Sequence, residues 1–365
     1  MTETQNIIVL TTGGSGGHIF PAEACAEALI EKGYEVVFIT DKRGSAFRQL
    51  ASVVTYRLCA ESITGKNILG KCIGLLKLIA GSIQALLLLR KIRPKLVIGF
   101  GGYASIPAVI AAQVSRIPTI LHEQNAVLGR ANRILARGTK LIASTFPAVK
   151  LNTTNKPIFQ VGQPVRAAIL EKANSPFPAT DQELNILIFG GSQGAHFLSQ
   201  NLPDALLLLP SELRAKINLT QQARAEDIEA LKTKYQNAGF HSLVIDSFFN
   251  NMPELLTQSH LIIGRGGAGT LSEVMAIGRS ALIIPLPSAA DNHQYENACL
   301  LTQNNAGWIL EEKDFDAANV ANQITQWLTQ PQILKETAER ARQLAILNAA
   351  DRMTDVVQNV IGSGG

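Results

Sequence analysis

Four glycine-rich segments occur where an apolar run gives way to a helix-like pattern. They are TTGGSGGHIFPA (residues 11–22), GFGGYASIPA (99–108), FGGSQGAHFL (189–198) and GRGGAGTLSEV (264–274). Glycines let the backbone approach a ligand closely, and the start of a helix presents free N–H groups and the positive end of the helix dipole. Each segment is therefore predicted to seat an anion. Tight packing alone is a poor explanation for four such segments at strand ends.

Two side chains in the first half are candidates for a general base. His18 falls at the predicted N-terminus of a helix, where the dipole disfavours the imidazolium form and leaves a neutral ring that can take a proton. Its structural alternative is a hydrogen bond to the turn or to a phosphate. Glu123, a carboxylate at a predicted strand end, is the competing candidate. Its alternative role is to pair with a neighbouring Arg or with loop amides.

Three other motifs, for a dinucleotide, a P-loop and a metal ion, do not account for these segments. A dinucleotide site is suggested by Asp41, which follows the second strand, but it needs Gly-x-Gly-x-x-Gly, and counting from Gly14 and Gly16 places Ile19 at the third glycine. No glycine turn precedes the Lys-Ser/Thr pair of a P-loop. The sequence DFD (314–316) has a metal-binding form, but it precedes a helical pattern and is predicted to cap that helix. With no His or Cys cluster in the sequence, no metal site is predicted.

Short β-branched runs alternate with helical patterns along the whole chain. The predicted strands are IIVLTT, EVVFIT, KLVIGF, PTILHE, KLIAST, LNILIFG, LVIDSF, HLIIG and SALIIPLP. Near-continuous apolar strands separated by helices indicate parallel sheets that are covered on both faces. The segment EKANSPFPATDQE (171–183) lacks an apolar period and is predicted to lead into a second domain. The predicted fold class is α/β, with two doubly wound domains facing a cleft.

The charge of the chain is divided unequally between its halves. Residues 1–166 carry 20 Lys and Arg against 8 Asp and Glu, whereas the remainder carries 13 against 21. Between residues 62 and 170, Glu123 is the only acid. This asymmetry indicates an anionic partner for the first half, such as a polyphosphate, a nucleic acid or an anionic membrane. A merely solvated basic surface does not explain why acids are nearly absent.

A long apolar segment, residues 67–94, lies within this basic region. Its longest uncharged run, 78–89, is about half of the roughly 20 residues that a membrane crossing needs, so the segment is predicted not to span a membrane. Its outer face is predicted either to touch an anionic membrane or only to cover the sheet. The polar start MTETQN lacks a secretory pattern and the four cysteines form no CxxC pair, so we expect a cytosolic protein with reduced thiols.

Seven segments, in order along nearly the whole chain, together resemble the MurG family of bacterial N-acetylglucosaminyltransferases. They are GGSGGH (13–18), GFGGYASIPAVIAA (99–112), LHEQNAVLGRANRILA (121–136), GQPVR (162–166), GGSQGA (190–195), GRGGAGTLSE (264–273) and DNHQYENA (291–298). The combination is far more specific than any single turn. The sequence departs from the family pattern at Ser15, Gln163 and Gln193, where Thr, Asn and Leu are usual. These departures affect only fine contacts.

The resemblance implies the GT-B arrangement of two Rossmann-like domains and an inverting transfer from α-linked UDP-GlcNAc to a lipid-linked MurNAc. Residues 1–165 are then the acceptor and membrane-associated domain, with a C-terminal helix at about 345–365 packed on it, and residues 166–344 are the UDP-GlcNAc-binding domain. The implied partners are UDP-GlcNAc, undecaprenyl-pyrophosphoryl-MurNAc-pentapeptide, an anionic membrane surface and other proteins of cell-wall synthesis and division. No cofactor and no nucleic acid are implied. The implied location is the cytoplasmic face of the bacterial inner membrane.

The resemblance also implies site residues. His18 and Glu123 are the catalytic candidates, and the family places the glutamate that matches Glu273 on the ribose, where a carboxylate accepts two hydrogen bonds. Ser192 and Arg166 suit the donor phosphates. The full donor set is Ser15, Gly16, Gly17, Asn125, Arg166, Ser192, Phe249, Ala268, Gly269, Thr270, Leu271, Ser272, Glu273 and Gln294. The set for the acceptor pyrophosphate is Gly14, Gly16, Gly17, Gly101, Gly102 and Tyr103.

Two alternatives remain open at this point. A related enzyme of the same fold could glycosylate another lipid or epimerise the nucleotide sugar. In a different class, a membrane adaptor could bind a nucleotide sugar without turning it over. Activity with a panel of acceptors separates the first alternative, and a turnover assay separates the second.

Overall fold

The computed structural model divides the chain into two compact units. Unit 1 comprises Met1–Arg166 and Ile346–Gly365, and unit 2 comprises Ala167–Ala345. The residues that the structure describes are 6–13, 16–41, 53–60, 67–147, 155–180 and 183–362. The functional assignment of the two parts of the chain stays a prediction.

Unit 1 is built on a seven-stranded parallel sheet. Its strands are β1 (Ile7–Thr11), β2 (Glu35–Thr40), β3 (Val54–Arg57), β4 (Leu96–Gly99), β5 (Thr119–Glu123), β6 (Leu141–Ser144) and β7 (Ile158–Gln160). Their order is β3-β2-β1-β4-β5-β6-β7, and Val9 of β1 lies opposite both Val37 and Val97. The winding reverses between β1 and β4. Doubly wound sheets bind ligands at such a point, beyond the carboxyl ends of the strands.

Unit 2 repeats this winding in a six-stranded parallel sheet. Its strands are β8 (Leu184–Phe189), β9 (Ile217–Gln222), β10 (Ser242–Asp246), β11 (Leu261–Gly264), β12 (Ser280–Ile283) and β13 (Trp308–Ile309). Their order is β10-β9-β8-β11-β12-β13. The winding of this sheet therefore reverses between β8 and β11.

Helices connect the strands in both units. They are α1 (Gly16–Glu31), α2 (Ile68–Ile92), α3 (Ser105–Val114), α4 (Arg130–Leu135), α5 (Ala167–Leu170), α6 (Gly191–Leu207), α7 (Ser211–Arg214), α8 (Ile228–Lys234), α9 (Met252–Gln258), α10 (Ala268–Ile277), α11 (His293–Gln303), α12 (Ala317–Thr329), α13 (Pro331–Gln343) and α14 (Ala349–Gly362). Short 3-10 turns occur at Ala136–Gly138, Ala225–Asp227, Ala290–Asn292 and Glu312–Asp314.

The unit 1 sheet is covered on both faces, as its near-continuous apolar strands predict. Leu78 and Leu89 of α2 pack on one face with α3, whereas Cys25 of α1 and Met353 of α14 pack on the other. The last segment of the chain approaches the sheet closely at Gly162. This residue has φ of 89°, and a Cβ there would lie 2.8 Å from the Cβ of Ile346. Only glycine satisfies both the backbone angle and the contact.

The α/β fold class with two parallel sheets is confirmed, and all nine predicted strands are present. The strands β3, β7, β9 and β13 were not predicted. Three of them lie at sheet edges, where burial is partial, and β9 (INLTQQ) is largely polar. The predicted helix cap at DFD is also confirmed, because the side chain of Asp316 accepts a hydrogen bond from the N–H of Asn319 at 2.8 Å and caps α12.

The helix α2 is long and strongly apolar. Within the described residues, its stretch Cys72–Ile92 is long and apolar enough to cross a membrane by length and composition alone, with a mean hydropathy of 2.1 and 28% of the stretch buried. However, α2 connects β3 to β4 of the same parallel sheet and packs beside α3. A crossover helix of this kind belongs to the covering layer of its sheet.

Candidate functional site

Two of the glycine turns meet in unit 1. One joins β1 to α1 and the other joins β4 to α3, so both lie at the point where the sheet reverses its winding. The N–H of Gly13 donates to the carbonyl oxygen of Gly101 at 3.2 Å. Gly101 and Gly102 have φ of 88° and 74°, and a Cβ on Gly102 would lie 3.2 Å from the Cα of Gly13. Glycine is therefore required for both the backbone angle and the close approach of the turns.

His18 extends from the first turn of α1 toward the neighbouring turn. Its Nδ1 lies 2.9 Å from the carbonyl oxygen of Phe100, and the side-chain amide of Gln124 lies 2.7 Å from the same nitrogen. The amide nitrogen of Gln124 also donates to the carbonyl oxygen of Phe100 at 3.3 Å. Because a carbonyl oxygen can only accept, the contact between His18 and Phe100 is a hydrogen bond when the ring proton is on Nδ1, and we assign that tautomer. Nε2 is then the basic nitrogen of a neutral imidazole.

Glu123 is buried and holds a loop. Its Oε1 accepts from the backbone N–H and the side-chain amide of Asn125 at 3.0 and 3.4 Å. Its Oε2 accepts from the N–H of Gly129 at 2.8 Å and from the amide of Asn132 at 2.9 Å. Burial raises the pKa of the carboxyl group, and these hydrogen bonds oppose that rise. The contacts match the loop-amide role that the sequence left as the alternative to catalysis.

His122 lies beside this network and is fully buried. Its Nε2 donates to the carbonyl oxygen of Gly162 at 3.2 Å, and its Nδ1 has no partner among the described residues. Burial is the main reason that the pKa of the imidazole is lowered from 6.5 to about 4; the hydrogen bond to Gly162 opposes this shift, and the nearby His18 adds to it. His122 is therefore neutral near pH 7 and serves as a structural donor under the site.

In unit 2 the remaining glycine turns join β8 to α6 and β11 to α10, again at the reversal of the winding. The N-cap of α10 is Gly267, which has no side chain to satisfy the first N–H groups of the helix. A Cβ on Gly269 would meet none of the described atoms within 4 Å. The start of α10 thus has no side-chain cap and has open space beside Gly269. This is the geometry of an anion seat at a helix N-terminus.

Two side chains of α11 fix the backbone of this turn. The Oε1 atom of Gln294 accepts from the N–H groups of Gly266 and Leu286 at 3.2 and 3.0 Å. The amide of Asn297 donates to the carbonyl oxygen of Gly266 at 3.0 Å. A Cβ on Gly266 would lie 2.3 Å from the backbone oxygen of Gln294. Because its oxygen is occupied, Gln294 can offer only its NH2 group to a ligand.

Arg265, within the same turn, is 5% exposed. One guanidinium nitrogen donates to the carbonyl oxygens of Ile284 and Pro285 at 2.9 and 3.3 Å, and another lies 2.6 Å from a carboxylate oxygen of Glu312. The guanidinium also lies 5.6 Å from the centre of the Phe197 ring. Burial lowers the pKa of Arg265, and Glu312 opposes this shift. The side chain thereby ties the turn to the end of β12, to α6 and to the 3-10 turn at Glu312–Asp314.

The other predicted donor residues of α10 differ in their surroundings. Glu273 is half-buried in the second turn of the helix and has polar partners. Leu271 is fully buried and its N–H donates to the carbonyl oxygen of Gly267 at 3.0 Å, so it packs the core of unit 2. Ser272 is also buried, and its hydroxyl has no hydrogen-bond partner among the described residues.

Several predicted residues lie away from α10. Phe249 is half-buried after β10. Arg166 belongs to unit 1, where its guanidinium lies 5.2 Å from the centre of the Phe20 ring. Gly16 and Gly17 open α1, Tyr103 is half-buried, and Asn125 is bonded to Glu123. The predicted sites at Gly14 and Ser15, and the side chain of Ser192, lie outside the described residues.

Sequence reasoning missed five residues that shape these sites: Gln124, Asn132, Arg265, Asn297 and Glu312. Gln124 follows directly after the buried strand β5, and a polar residue at a strand end was a usable signal. Asn132 lies in α4, and no local signal connects it to Glu123. A charged residue inside a glycine turn was a signal for Arg265. Nothing in the spacing of the sequence connects Glu312 to that turn, because the contact is made only when β12 and β13 pair.

A metal centre is not found in the part of the chain that the structure describes, where no group of three or more His, Cys, Asp or Glu side chains could hold an ion. The four cysteines are free thiols.

Comparison with known proteins relates both units to glycosyltransferases. The profile of the glycosyltransferase family 28 N-terminal domain matches residues 8–144, and that of its C-terminal domain matches residues 185–356. A Paramagnetospirillum magneticum protein named UDP-N-acetylglucosamine--N-acetylmuramyl-(pentapeptide) pyrophosphoryl-undecaprenol N-acetylglucosamine transferase is 41% identical, over 99% of this chain and 98% of its own. The Rhodospirillum rubrum protein of the same name is 41% identical, over 96% of this chain and 91% of its own.

Solved structures support the same relationship. The crystal structure of MurG from Acinetobacter baumannii superimposes with a TM-score of 0.79 at 30% identity, covering 97% of this chain and 99% of that one. A UDP-GlcNAc 2-epimerase from Neisseria meningitidis shares the fold with a TM-score of 0.69 at 13% identity, covering 97% of this chain and 100% of that one.

Proposed function

Because this chain belongs to glycosyltransferase family 28, we propose that it transfers GlcNAc from UDP-GlcNAc to the MurNAc sugar of undecaprenyl-pyrophosphoryl-MurNAc-pentapeptide. The observation that carries the proposal is the pair of glycine turns at the winding reversal of each sheet. The chain thus has one anion seat in each unit. A reaction between two pyrophosphate-bearing substrates needs two such seats, and the curated relatives carry the name of that transfer.

Unit 2 is proposed to bind the donor. The pyrophosphate of UDP-GlcNAc would lie at the N-terminus of α10, where the N–H groups of residues 268–270 and the helix dipole favour negative charge. Glu273, one turn further on, accepts a hydrogen bond from each of the two ribose hydroxyl groups, and the NH2 group of Gln294 faces the sugar. Charge grows on the phosphate as UDP departs, and preformed donors stabilise that charge without reorganisation. Within unit 2, Ser192 and Phe249 complete the proposed donor contacts.

Unit 1 is proposed to bind the acceptor and supply the base. The turns at Gly13–His18 and Gly99–Ser105 seat its pyrophosphate. The Nε2 atom of His18 takes the proton of the MurNAc 4-hydroxyl, whose oxygen attacks C1 of GlcNAc on the face opposite to UDP. The C1–O bond to phosphate breaks, and the α-linkage becomes a β-1,4 linkage. The carbonyl oxygen of Phe100 holds the Nδ1 proton throughout and stabilises the imidazolium that forms.

Transfer of labelled GlcNAc from UDP-GlcNAc to a soluble MurNAc-pentapeptide pyrophosphate ester tests this function. We expect UDP release that depends on the acceptor, and a product that carries one β-linked GlcNAc. Conversion of UDP-GlcNAc to an epimer without an acceptor would instead place the chain with the epimerases that share its fold. Binding of UDP-GlcNAc with no turnover of either kind would support the adaptor alternative.

We also propose that unit 1 associates peripherally with the anionic cytoplasmic face of the bacterial membrane. The outer face of α2 carries Ile73, Leu76 and Leu87, which are 43%, 65% and 61% exposed to solvent. Exposed Lys77 and Arg90 lie on the same helix, in the region that is nearly free of acids. Apolar side chains flanked by basic ones are suited to an anionic lipid surface.

Sedimentation with vesicles tests this association. We expect binding to anionic vesicles that weakens with salt and with Lys77→Glu or Arg90→Glu, since each basic residue near the surface contributes about 1 kcal/mol. A matched Lys335→Glu variant, in unit 2, should bind as the wild type does. Equal binding to neutral and anionic vesicles, indifferent to salt, would contradict the electrostatic part of the proposal.

A further inference from the structure

An apolar groove of about 680 Å³ lies in unit 1 between α2, α3 and α4. The helix α2 contributes Leu75, Ile79 and Ile83, α3 contributes Ile106 and Ile110, and α4 contributes Ile134. The volume is typical of a small-molecule site rather than of a flat contact surface. Ile134 is 67% exposed at the rim, so a ligand could enter from the surface.

Few polar side chains line this groove. Ser82 lines it, but the hydroxyl of Ser82 donates to the carbonyl oxygen of Leu78 at 2.8 Å within α2 and is already satisfied. The other polar side chains are Tyr103 and Arg130, and both have partners of their own. A ligand of the groove therefore gains by burying hydrocarbon and has little to hydrogen-bond.

The groove begins at the glycine turn proposed for the acceptor pyrophosphate. Tyr103 lines the groove and directly follows Gly101 and Gly102 in that turn. Ile106, in the first turn of α3, continues the lining from the same point. A pyrophosphate held at the turn would thus have the start of its lipid ester beside the mouth of an apolar channel.

We propose that this groove binds the first isoprene units of the acceptor's polyprenyl chain. The protein would then hold part of the lipid tail itself, in addition to touching the bilayer through the outer face of α2. The inference rests on the proposed function, because the acceptor's prenyl tail follows from that function. Continuity with the pyrophosphate turn, the branched aliphatic lining and the concave shape together favour a single chain over a bilayer surface.

The test uses methyl, geranyl and geranylgeranyl pyrophosphate esters of MurNAc-pentapeptide, without vesicles and below the concentrations at which they form micelles. For the wild type, kcat/KM should rise from the methyl to the geranyl ester and then level off, because the groove has a limited length. The Ser82→Leu variant fills the groove while keeping it apolar. Its preference for the geranyl over the methyl ester should fall by roughly tenfold, the loss expected when two methylene groups lose their burial.

A matched pair on α2 separates the groove from the outer face. Ile79 lines the groove and is 50% exposed, whereas Leu76 is 65% exposed and lies outside it. Ile79→Asn should weaken the preference for the geranyl ester, and Leu76→Asn should leave it unchanged. Equal effects of the two substitutions, or a full preference retained by Ser82→Leu, would overturn the proposal.

The wild-type series decides the question even where a variant fails to fold, because a geranyl ester that is no better than the methyl ester contradicts a groove that binds the chain. Thermal unfolding and UDP binding identify variants with a damaged fold. Failure of the proposed function gives a different result. In that case the wild type would not glycosylate any of the three esters, whereas failure of the groove leaves turnover of the methyl ester intact.

Discussion

Replacing Glu123 by Gln should destabilise unit 1 and leave the base in place. The carboxylate accepts four hydrogen bonds, two on each oxygen, from Asn125, Gly129 and Asn132. An amide keeps one oxygen and turns an NH2 group toward two donors, so two of the four bonds are lost. Hydrogen bonds to a charged group contribute about 1.5–3 kcal/mol each, and the neutral side chain recovers some of its burial cost, so we expect a net loss of roughly 3 kcal/mol.

That loss predicts a measurable change in thermal stability. For a unit of this size, 1 kcal/mol corresponds to roughly 2–4 °C in Tm, so Glu123→Gln should lower the Tm of unit 1 by roughly 6–12 °C. His18→Ala should behave in the opposite way. It should keep Tm and the affinity for UDP, which is proposed to bind in unit 2, while kcat/KM falls by roughly 10²- to 10⁴-fold, as expected for a lost general base.

The assays are thermal unfolding, calorimetric titration with UDP, and kcat/KM for a soluble acceptor across pH. Wild-type kcat/KM should fall as the pH is lowered and the base becomes protonated, and His18→Ala should lose that dependence. Glu123→Gln should keep it at temperatures where the variant is folded. If Glu123→Gln retained its Tm and lost the pH dependence, Glu123 would be the base and His18 would not. A His18→Ala variant that retained both the rate and the pH profile would likewise show that His18 is not the base.

Three further predictions concern donor binding and stability. Glu273→Ala should weaken UDP binding by roughly 2–4 kcal/mol in a calorimetric titration, because two hydrogen bonds from the ribose to a charged group are lost. An unchanged Kd would mean that Glu273 interacts only with the helix dipole. Glu312→Ala should raise KM for UDP-GlcNAc more than it lowers kcat in steady-state kinetics. Glu312→Gln should restore much of the wild-type KM, because the amide can still pair with Arg265. Equal changes in kcat and KM for both variants would argue against a positioning role. Folding lowers the pKa of His122 from 6.5 to about 4, so the unfolded chain binds the proton more readily than the folded chain. The stability from this residue is present above pH 6.5 and is lost as the pH falls toward 4. The expected loss is about 3 kcal/mol. His122→Gln keeps a donor for Gly162 and should flatten the acid side of the pH dependence of unfolding, whereas an unchanged curve would assign that acid loss to other groups.

The sequence was most informative where strands are buried on both faces. The runs EVVFIT and TILHE are strands with the expected composition, because parallel strands under two helical layers must be apolar throughout. The strand β9 (INLTQQ) alternates buried and half-buried residues and carries too few apolar ones for such a rule. The edge strands β3 and β13 are short, and their pairing is determined by neighbours that are distant in sequence.

The same limit applies to the candidate sites. Local composition identified each glycine turn, and the helix after each turn could be expected from its pattern. That Gly13 lies against Gly101, and that His18 reaches the carbonyl oxygen of Phe100, depends on β1 and β4 being neighbours in the sheet. No spacing in the sequence encodes that adjacency. The contact of Arg265 with Glu312 was hidden for the same reason.

Both units have glycine turns before a helix, and the residues in the first turn of each helix differ between the units. In unit 1, His18 stands at the third position of α1, close enough to the neighbouring turn for its Nδ1 proton to be held by Phe100. In unit 2, α6 begins with Gly-Ser-Gln and α10 with Ala-Gly-Thr, none of which titrates near neutral pH. Under the proposed function, the seat in unit 1 therefore combines anion binding with a proton acceptor, whereas the seat in unit 2 offers hydrogen-bond donors and no base. This difference supports the proposal that unit 1 activates the hydroxyl group and that unit 2 stabilises the departing diphosphate.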